Sequence, residues 1–460
     1  MRRILLLLVL AAALLPARAQ PDLSHMRSII EATPVGSWVN LTAGNTPWST
    51  TWPTPRHGGD PGSVVYAWGS MVWDPSHGQF ILWGGGHANY AGNEVYTLSG
   101  ATGEWARASL PSAYQAGTSF IAGNGAPQSS HTYDNSQYLP ISDRWVTFGG
   151  AAWNGGSNFS SAAGREGPWL WDPSKADPNK VGGQDGTGLV PGAIGSNAWE
   201  SRRGHITGTL PPSLVEASTG YRAEGGKDVV YVTSDTGASG FPRLYRYEFN
   251  LAGNDVSQMV GVLGSGQYAY QGTGTVDTQR GWYARTIWPD TGSLDLAVWD
   301  LSRNNATTPS ANPSFGVKLQ RPDGSDFNVM PAVWVGSDAS IEFDPNTGHY
   351  FLFVNASLTE IIPTANPDGT PGSVWTAIER VCVTGCPTSV GQDVLGHWVS
   401  VPELGVMALM AKYDQTVGAQ DVDVWAYRVA EIPEPGTWLQ LAAGLAVLGG
   451  VASRRRLMEG

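Results

Sequence analysis

Basic charge is scarce in this chain, and cysteine is scarcer still. Of 460 residues only 27 are Lys or Arg against 39 Asp or Glu, a formal net charge of -12. No run of basic residues lies inside the chain, so the electrostatic footprint of a nucleic-acid partner is missing. The two cysteines, Cys382 and Cys386, flank Val-Thr-Gly. No further metal ligands cluster there, and the pair is expected to form a local disulfide in an oxidising compartment. A loop that short removes little chain entropy, so it braces locally. Spaced carboxylates are lacking too. Asp74, Asp277 and Asp344 sit in turns without the ligand series that calcium needs, and turn chemistry accounts for them. No metal and no cofactor is expected. Charged residues are only 14% of the chain, whereas it holds 59 Gly, 31 Pro and 20 Trp. Gly- and Pro-rich turns between aromatic strands indicate an all-β architecture; disordered chains are poor in aromatics.

The unit that repeats is clearest from Met71 to Trp105, MVWDPSHGQFILWGGGHANYAGNEVYTLSGATGEW. An apolar run meets an Asp-Pro turn, a second run ends in Gly84-Gly85-Gly86, and two further short strands follow. Tight packing of inner strands and positive φ at the strand exit both explain the glycines. Five more segments echo this hairpin, beginning near Ser136, Gly225, Thr275, Ser340 and Trp398. In the third, the first strand is sought in His205 to Thr209. An alternating strand follows each hairpin, as in Glu94 to Leu98 and Asp423 to Tyr427. Six such units predict a six-bladed β-propeller over residues 20–430. The last blade lacks a strand, and Gly36-Ser37-Trp38 near the front echoes Gly103-Glu104-Trp105. An N-terminal strand is therefore expected to close the ring and hide its edges.

Both ends read as addresses. Arg2-Arg3, an apolar run and Ala17-Arg18-Ala19 predict a signal peptide over residues 1–19, cleaved between Ala19 and Gln20. Over residues 431–460, Pro433-Glu434-Pro435 precedes a mostly apolar stretch and Arg454-Arg455-Arg456. That order resembles the PEP-CTERM sorting signal of Gram-negative bacteria. The resemblance implies a transmembrane sorting helix, processing by an exosortase, and delivery through a transient membrane anchor to the cell surface or biofilm matrix.

The di-glycines after second strands (Gly84-Gly85, Gly149-Gly150), with Tyr96 and Trp105 in the outer strands, resemble the kelch repeat, which also builds the galactose-oxidase-like propeller. A copper radical oxidase of that kind needs a Tyr cross-linked to Cys and two His ligands. With its two cysteines expected to bond to each other, this chain does not supply that set.

In a kelch-like propeller the loops leaving second strands and those leading into first strands open on one face. That rule gathers His87, Asn89, Tyr90, Glu94, His131, Arg165, Arg202, Arg203, His205 and His397 as ligand-binding candidates. Tyr133, Glu166, Asp235, Tyr268, Tyr270, Arg285, Trp288, Asp338, Lys412 and Asp414 fall in the same segments. Aromatic faces suit sugar rings and Arg forks suit carboxylates, so acidic polysaccharide is the expected ligand. The reading made from this is an exported surface protein that binds polysaccharide. Its alternatives are a carbohydrate-active enzyme, a hydrolase or lyase pairing Glu94 or Glu166 with His87 or His131 near the axis, and a structural surface protein.

Overall fold

The computed structural model describes residues 20–432 except 57, 113–119, 122–124, 154–167, 185–193, 212–213, 215–216, 234–241, 268–271, 288–293, 306, 328–338, 355, 383–384, 388–394 and 412–421. The proposed signal peptide and sorting signal lie outside the described residues. Among the described residues no helix is long and apolar enough to cross a membrane.

Short apolar runs broken by Asp and Gly turns fold as antiparallel meanders. The first contains Ser70–Asp74, Gln79–Trp83, Tyr96–Ser99 and Trp105–Arg107 in that order. Its hairpin is held by Asp74, whose Oδ1 accepts from the backbone N–H of Ser76 and His77, both at 3.0 Å. Asp277 repeats the device, accepting from Gln279 and Arg280. The second meander is Ser136–Leu139, Arg144–Thr147, Trp169–Trp171 and Trp199–Ser201. The third is Ser218–Glu224, Lys227–Thr233, Arg243–Glu248 and Asp255–Val262, with Ile206–Gly208 added in parallel at its outer edge. An eight-stranded sheet holds two more, beginning at Gly274–Asp277 and Ala339–Asp344 and joined by parallel pairing of Lys318 with Val374. The last is Trp398–Val401, Val406–Met410 and Val424–Arg428, completed by Trp38–Asn40 from the front of the chain.

The first strand of each meander packs against the first strand of the next, and Trp398–Val401 packs back against Ser70–Asp74. The circle closes, and the chain is a β-propeller. Tryptophans wedge adjacent sheets apart at the spacing their apolar faces require. Trp83, Trp145 and Trp171 pack around Trp199 at 5.0–5.4 Å. Trp38 lies 5.9 Å from Trp398 and 6.0 Å from Phe353.

One strand falls elsewhere than expected. Residues 205–209 do not open the third meander; Ile206–Gly208 is a partly exposed edge strand, and Ser218–Glu224 takes the inner place. Gly220 suits the close approach there, since a Cβ would sit a tight 3.0 Å from the Thr275 carbonyl carbon.

Candidate active site on the propeller axis

Alternation along the inner strands aims one face at the blade core and the other at the axis. In Ala339–Asp344, Ile341 and Phe343 join an apolar core, and Glu342 points the other way. Its carboxyl shares a cavity with that of Asp134, which comes from the segment leading into Ser136–Leu139, and its charge acts on Asp134. Both line a cavity of about 230 Å³ that extends along the axis past Ser70 and Gln137 to Glu403.

The two carboxyls are held differently. Asp134 Oδ2 accepts from the backbone N–H of Thr219 (3.1 Å) and Gly274 (2.9 Å), so one carboxylate ties three neighbouring blades. Glu342 Oε2 accepts from the Thr275 hydroxyl at 2.9 Å. Glu342 is enclosed by protein, although part of its surface faces the cavity. Burial pushes its carboxyl up to about 8, against the smaller effect of the Thr275 bond. Burial, then the neighbouring Glu342, push Asp134 up as well, against its two backbone bonds and the Arg285 charge. Two carboxyls in one dry site share protons as a pair. Burial pushes both carboxyls toward the protonated form, and at Asp134 two backbone N–H bonds and an Arg charge act the other way.

Beside this pair, the loop after Gln79–Trp83 presses onto residues 129–131. A Cβ on Gly86 would lie 2.3 Å from the Ser129 carbonyl oxygen, which explains the glycine triplet. The pressed loop brings together three of the expected residues. His131 packs against Trp68 with ring centroids 4.7 Å apart and planes tilted by 38°, and its ring lies 5.2 Å from that of His87. With its amide turned so that nitrogen donates, Asn89 bonds to His131 Nε2 at 2.9 Å and to the Gly86 and His87 carbonyls at 3.2 Å. Burial, helped by the nearby His87, lowers His131 to about 3, so this imidazole is neutral.

Other expected residues are placed elsewhere. Tyr90 and Tyr96 donate to Glu94 Oε1 at 2.6 and 2.7 Å within the first blade's apolar core. Burial raises Glu94, and Oε2 has no hydrogen-bond partner, as suits a protonated carboxyl. Glu94 is thus engaged by two phenols rather than by His87 or His131. Arg202 was expected to grip a ligand, but it is buried and committed. Its Nε and Nη2 bond both Asp255 oxygens at 3.0 Å, and Nη1 reaches Glu200 at 2.6 Å. Arg203 and His205 are exposed on the outer rim, since they follow an outermost strand. His397 is buried next to the inner strand Trp398–Val401, where its carbonyl accepts from Met410. Arg285 is also buried, bonding Thr233 Oγ1 at 2.9 Å. Arg165, Glu166, Asp235, Tyr268, Tyr270, Trp288, Asp338, Lys412 and Asp414 lie outside the described residues. Cys382 and Cys386 form a disulfide.

The chain is thus a β-propeller with two carboxyls, Asp134 and Glu342, lining a cavity on its axis. No protein-family model and no curated protein matches its sequence. Among solved structures it is similar to a Penicillium chrysogenum alpha-L-arabinanase complexed with arabinobiose, at 12% identity over 86% of this chain and 99% of that one, TM-score 0.40. The Dos1 propeller is similar at 8% identity over 84% and 96%, TM-score 0.34. So is a thermostable family-43 glycoside hydrolase, at 12% over 72% and 92%, TM-score 0.30. At these identities the likeness concerns the fold. The expectation of a polysaccharide-binding surface protein is corrected: Arg202, on which its grip on carboxylates rested, is engaged within the fold by Asp255 and Glu200, and what the described residues bring to the axial cavity is a pair of carboxyls.

Proposed function

We propose that the chain is a carbohydrate-active enzyme, a hydrolase whose chemistry is performed by Glu342 and Asp134 on the propeller axis. The observation that carries this reading is the meeting of two carboxyls from different blades in one cavity. Glycoside hydrolysis needs an acid for the departing oxygen and a base for the incoming water. Glu342 gives its proton to the glycosidic oxygen as the bond to the anomeric carbon breaks. Asp134 takes a proton from the water whose oxygen bonds that carbon. Glu342 is left ionised and Asp134 protonated, and one proton transfer through solvent restores the pair. Incubation of the mature protein with a panel of polysaccharides tests this through release of new reducing ends. No release from any of them would overturn it.

The finer reading of the fold is that the ring counts six blades of kelch type. The circle of first strands and the glycines after the first two second strands support it. The address is proposed on the same footing: export by residues 1–19, then PEP-CTERM sorting with exosortase processing near Pro433-Glu434-Pro435. A disulfide between Cys382 and Cys386 fits an oxidising compartment. Mass spectrometry of the exported protein checks it, with Gln20 as the expected first residue.

A further inference from the structure

Seven non-glycine residues among those described have positive φ, and four of them meet at one place: Trp68 (51°), His87 (51°), Ala88 (69°) and Tyr133 (51°). For a bulky aromatic residue such a backbone is an outlier, and it persists only where the surroundings over-determine it. Here they do. The Trp68 carbonyl accepts from the backbone N–H of Thr132 at 2.7 Å and of Tyr133 at 2.9 Å, and from the Thr132 hydroxyl at 3.2 Å. Ala88 N–H is tied to the Trp153 carbonyl at 3.2 Å.

What this strain produces is a row of rings. Trp68, His131 and His87 follow one another at 4.7 and 5.2 Å, and Tyr133 meets His131 edge-on at 6.0 Å. Tyr133 and His131 are buried, whereas Trp68 is half-buried and His87 exposed. The row therefore has a packed inner side and an open outer side, and Tyr133 is followed directly by Asp134. Its centre carries no charge, since His131 is neutral and its Nε2 is occupied by Asn89. Among the described residues, no Arg side chain belongs to the row. Arg202 is locked to Asp255, and Arg285 is buried, bonding Thr233 Oγ1. The axial cavity is lined instead by the carboxyls of Asp134, Glu342 and Glu403, with no Lys or Arg among its described lining residues to hold an anion.

We propose that Trp68, His87 and His131 form a stacking subsite for an uncharged sugar ring, beside the carboxyl pair on the axis. The C–H face of a neutral sugar lies against the exposed part of the row, as apolar ring faces do on aromatic ones. This rests on the hydrolase reading for its substrate class, and the experiment separates the two.

Binding of short galacto-, xylo- and gluco-oligosaccharides, with oligogalacturonate as the charged counterpart, is measured calorimetrically on Glu342→Gln. His87→Asn and Trp68→Leu are added to that variant, Asn being a residue that tolerates the left-handed backbone. Circular dichroism establishes that each is folded, and His87→Asn keeps the test open if Trp68→Leu is not. The expected result is binding of at least one neutral series, weakened about tenfold by either substitution, with weaker binding of oligogalacturonate. In the active protein the same substitutions raise KM and leave kcat near its value. Unchanged binding and KM overturn the subsite while cleavage still supports the hydrolase. Binding lost with the rings, but no cleavage by the active protein, upholds the subsite and overturns the hydrolase. Oligogalacturonate bound as tightly as the neutral series overturns the uncharged ligand, and neither binding nor cleavage overturns both.

Discussion

Trp38, near the front of the chain, pairs with Tyr427 in the last blade, their rings 5.4 Å apart. One strand from the front thus completes a sheet whose other strands come from the end. Arg428 adds a second tie, donating to the backbone carbonyls of Ile30 and Thr33. Trp38→Ala removes a nearly buried indole and is expected to cost about 3–5 kcal/mol. Urea unfolding followed by fluorescence checks this. A loss below about 1 kcal/mol would mean that the closure contributes little.

Arg202 and Asp255 form a bidentate pair with side chains 3% and 0% exposed. Breaking such a pair from one side leaves a buried charge and is expected to cost about 3–5 kcal/mol. Arg202→Ala should therefore lower the unfolding midpoint, while the folded fraction turns over substrate at the parent rate. A lowered rate without lost stability would return Arg202 to the ligand site.

Two buried groups give stability opposite dependences on pH. His131 is lowered from 6.5 to about 3, so as pH falls below 6.5 the unfolded chain takes up a proton that the folded one refuses. Stability is lost toward acid across that window. Glu342 is raised from 4.5 to about 8, and the folded state keeps its proton after the unfolded one has released it. Its contribution is complete below 4.5 and lost as pH rises through 8. Melting temperature against pH should flatten on the acid side in His131→Asn and on the alkaline side in Glu342→Gln. Parallel curves for variant and parent would refute the assignment.

The ring of meanders is legible in the sequence because each repeats the same apolar run, Asp or Gly turn and apolar run. The Gly84-Gly86 triplet and the Trp38 echo are legible for the same local reason. The third blade is misread because Ile206–Gly208 borrows the outer edge of its sheet, a place set by packing rather than by pattern. Arg202-Arg203 reads as a positive patch only because Asp255, 53 residues on, is invisible to local reasoning. His87, Asn89 and His131 are found by the loop rule, but the packing of His131 against Trp68 is not. Asp134 and Glu342 are missed as a pair for a plainer reason. Glu342 did leave a signal, a carboxylate in an otherwise core-like strand, SIEFD, at a position opposite Ile341 and Phe343. Nothing short of the closed ring brings Asp134 to it.

The most direct test of the account is the rate of glycan hydrolysis by Glu342→Gln and Asp134→Asn beside the parent, across pH. The account predicts that each variant loses about 10²–10⁴ in kcat while remaining folded. It also predicts that the parent's activity falls on the alkaline side near pH 8, where Glu342 ionises, and that this limb disappears in Glu342→Gln. Parent-like rates in either variant would contradict it.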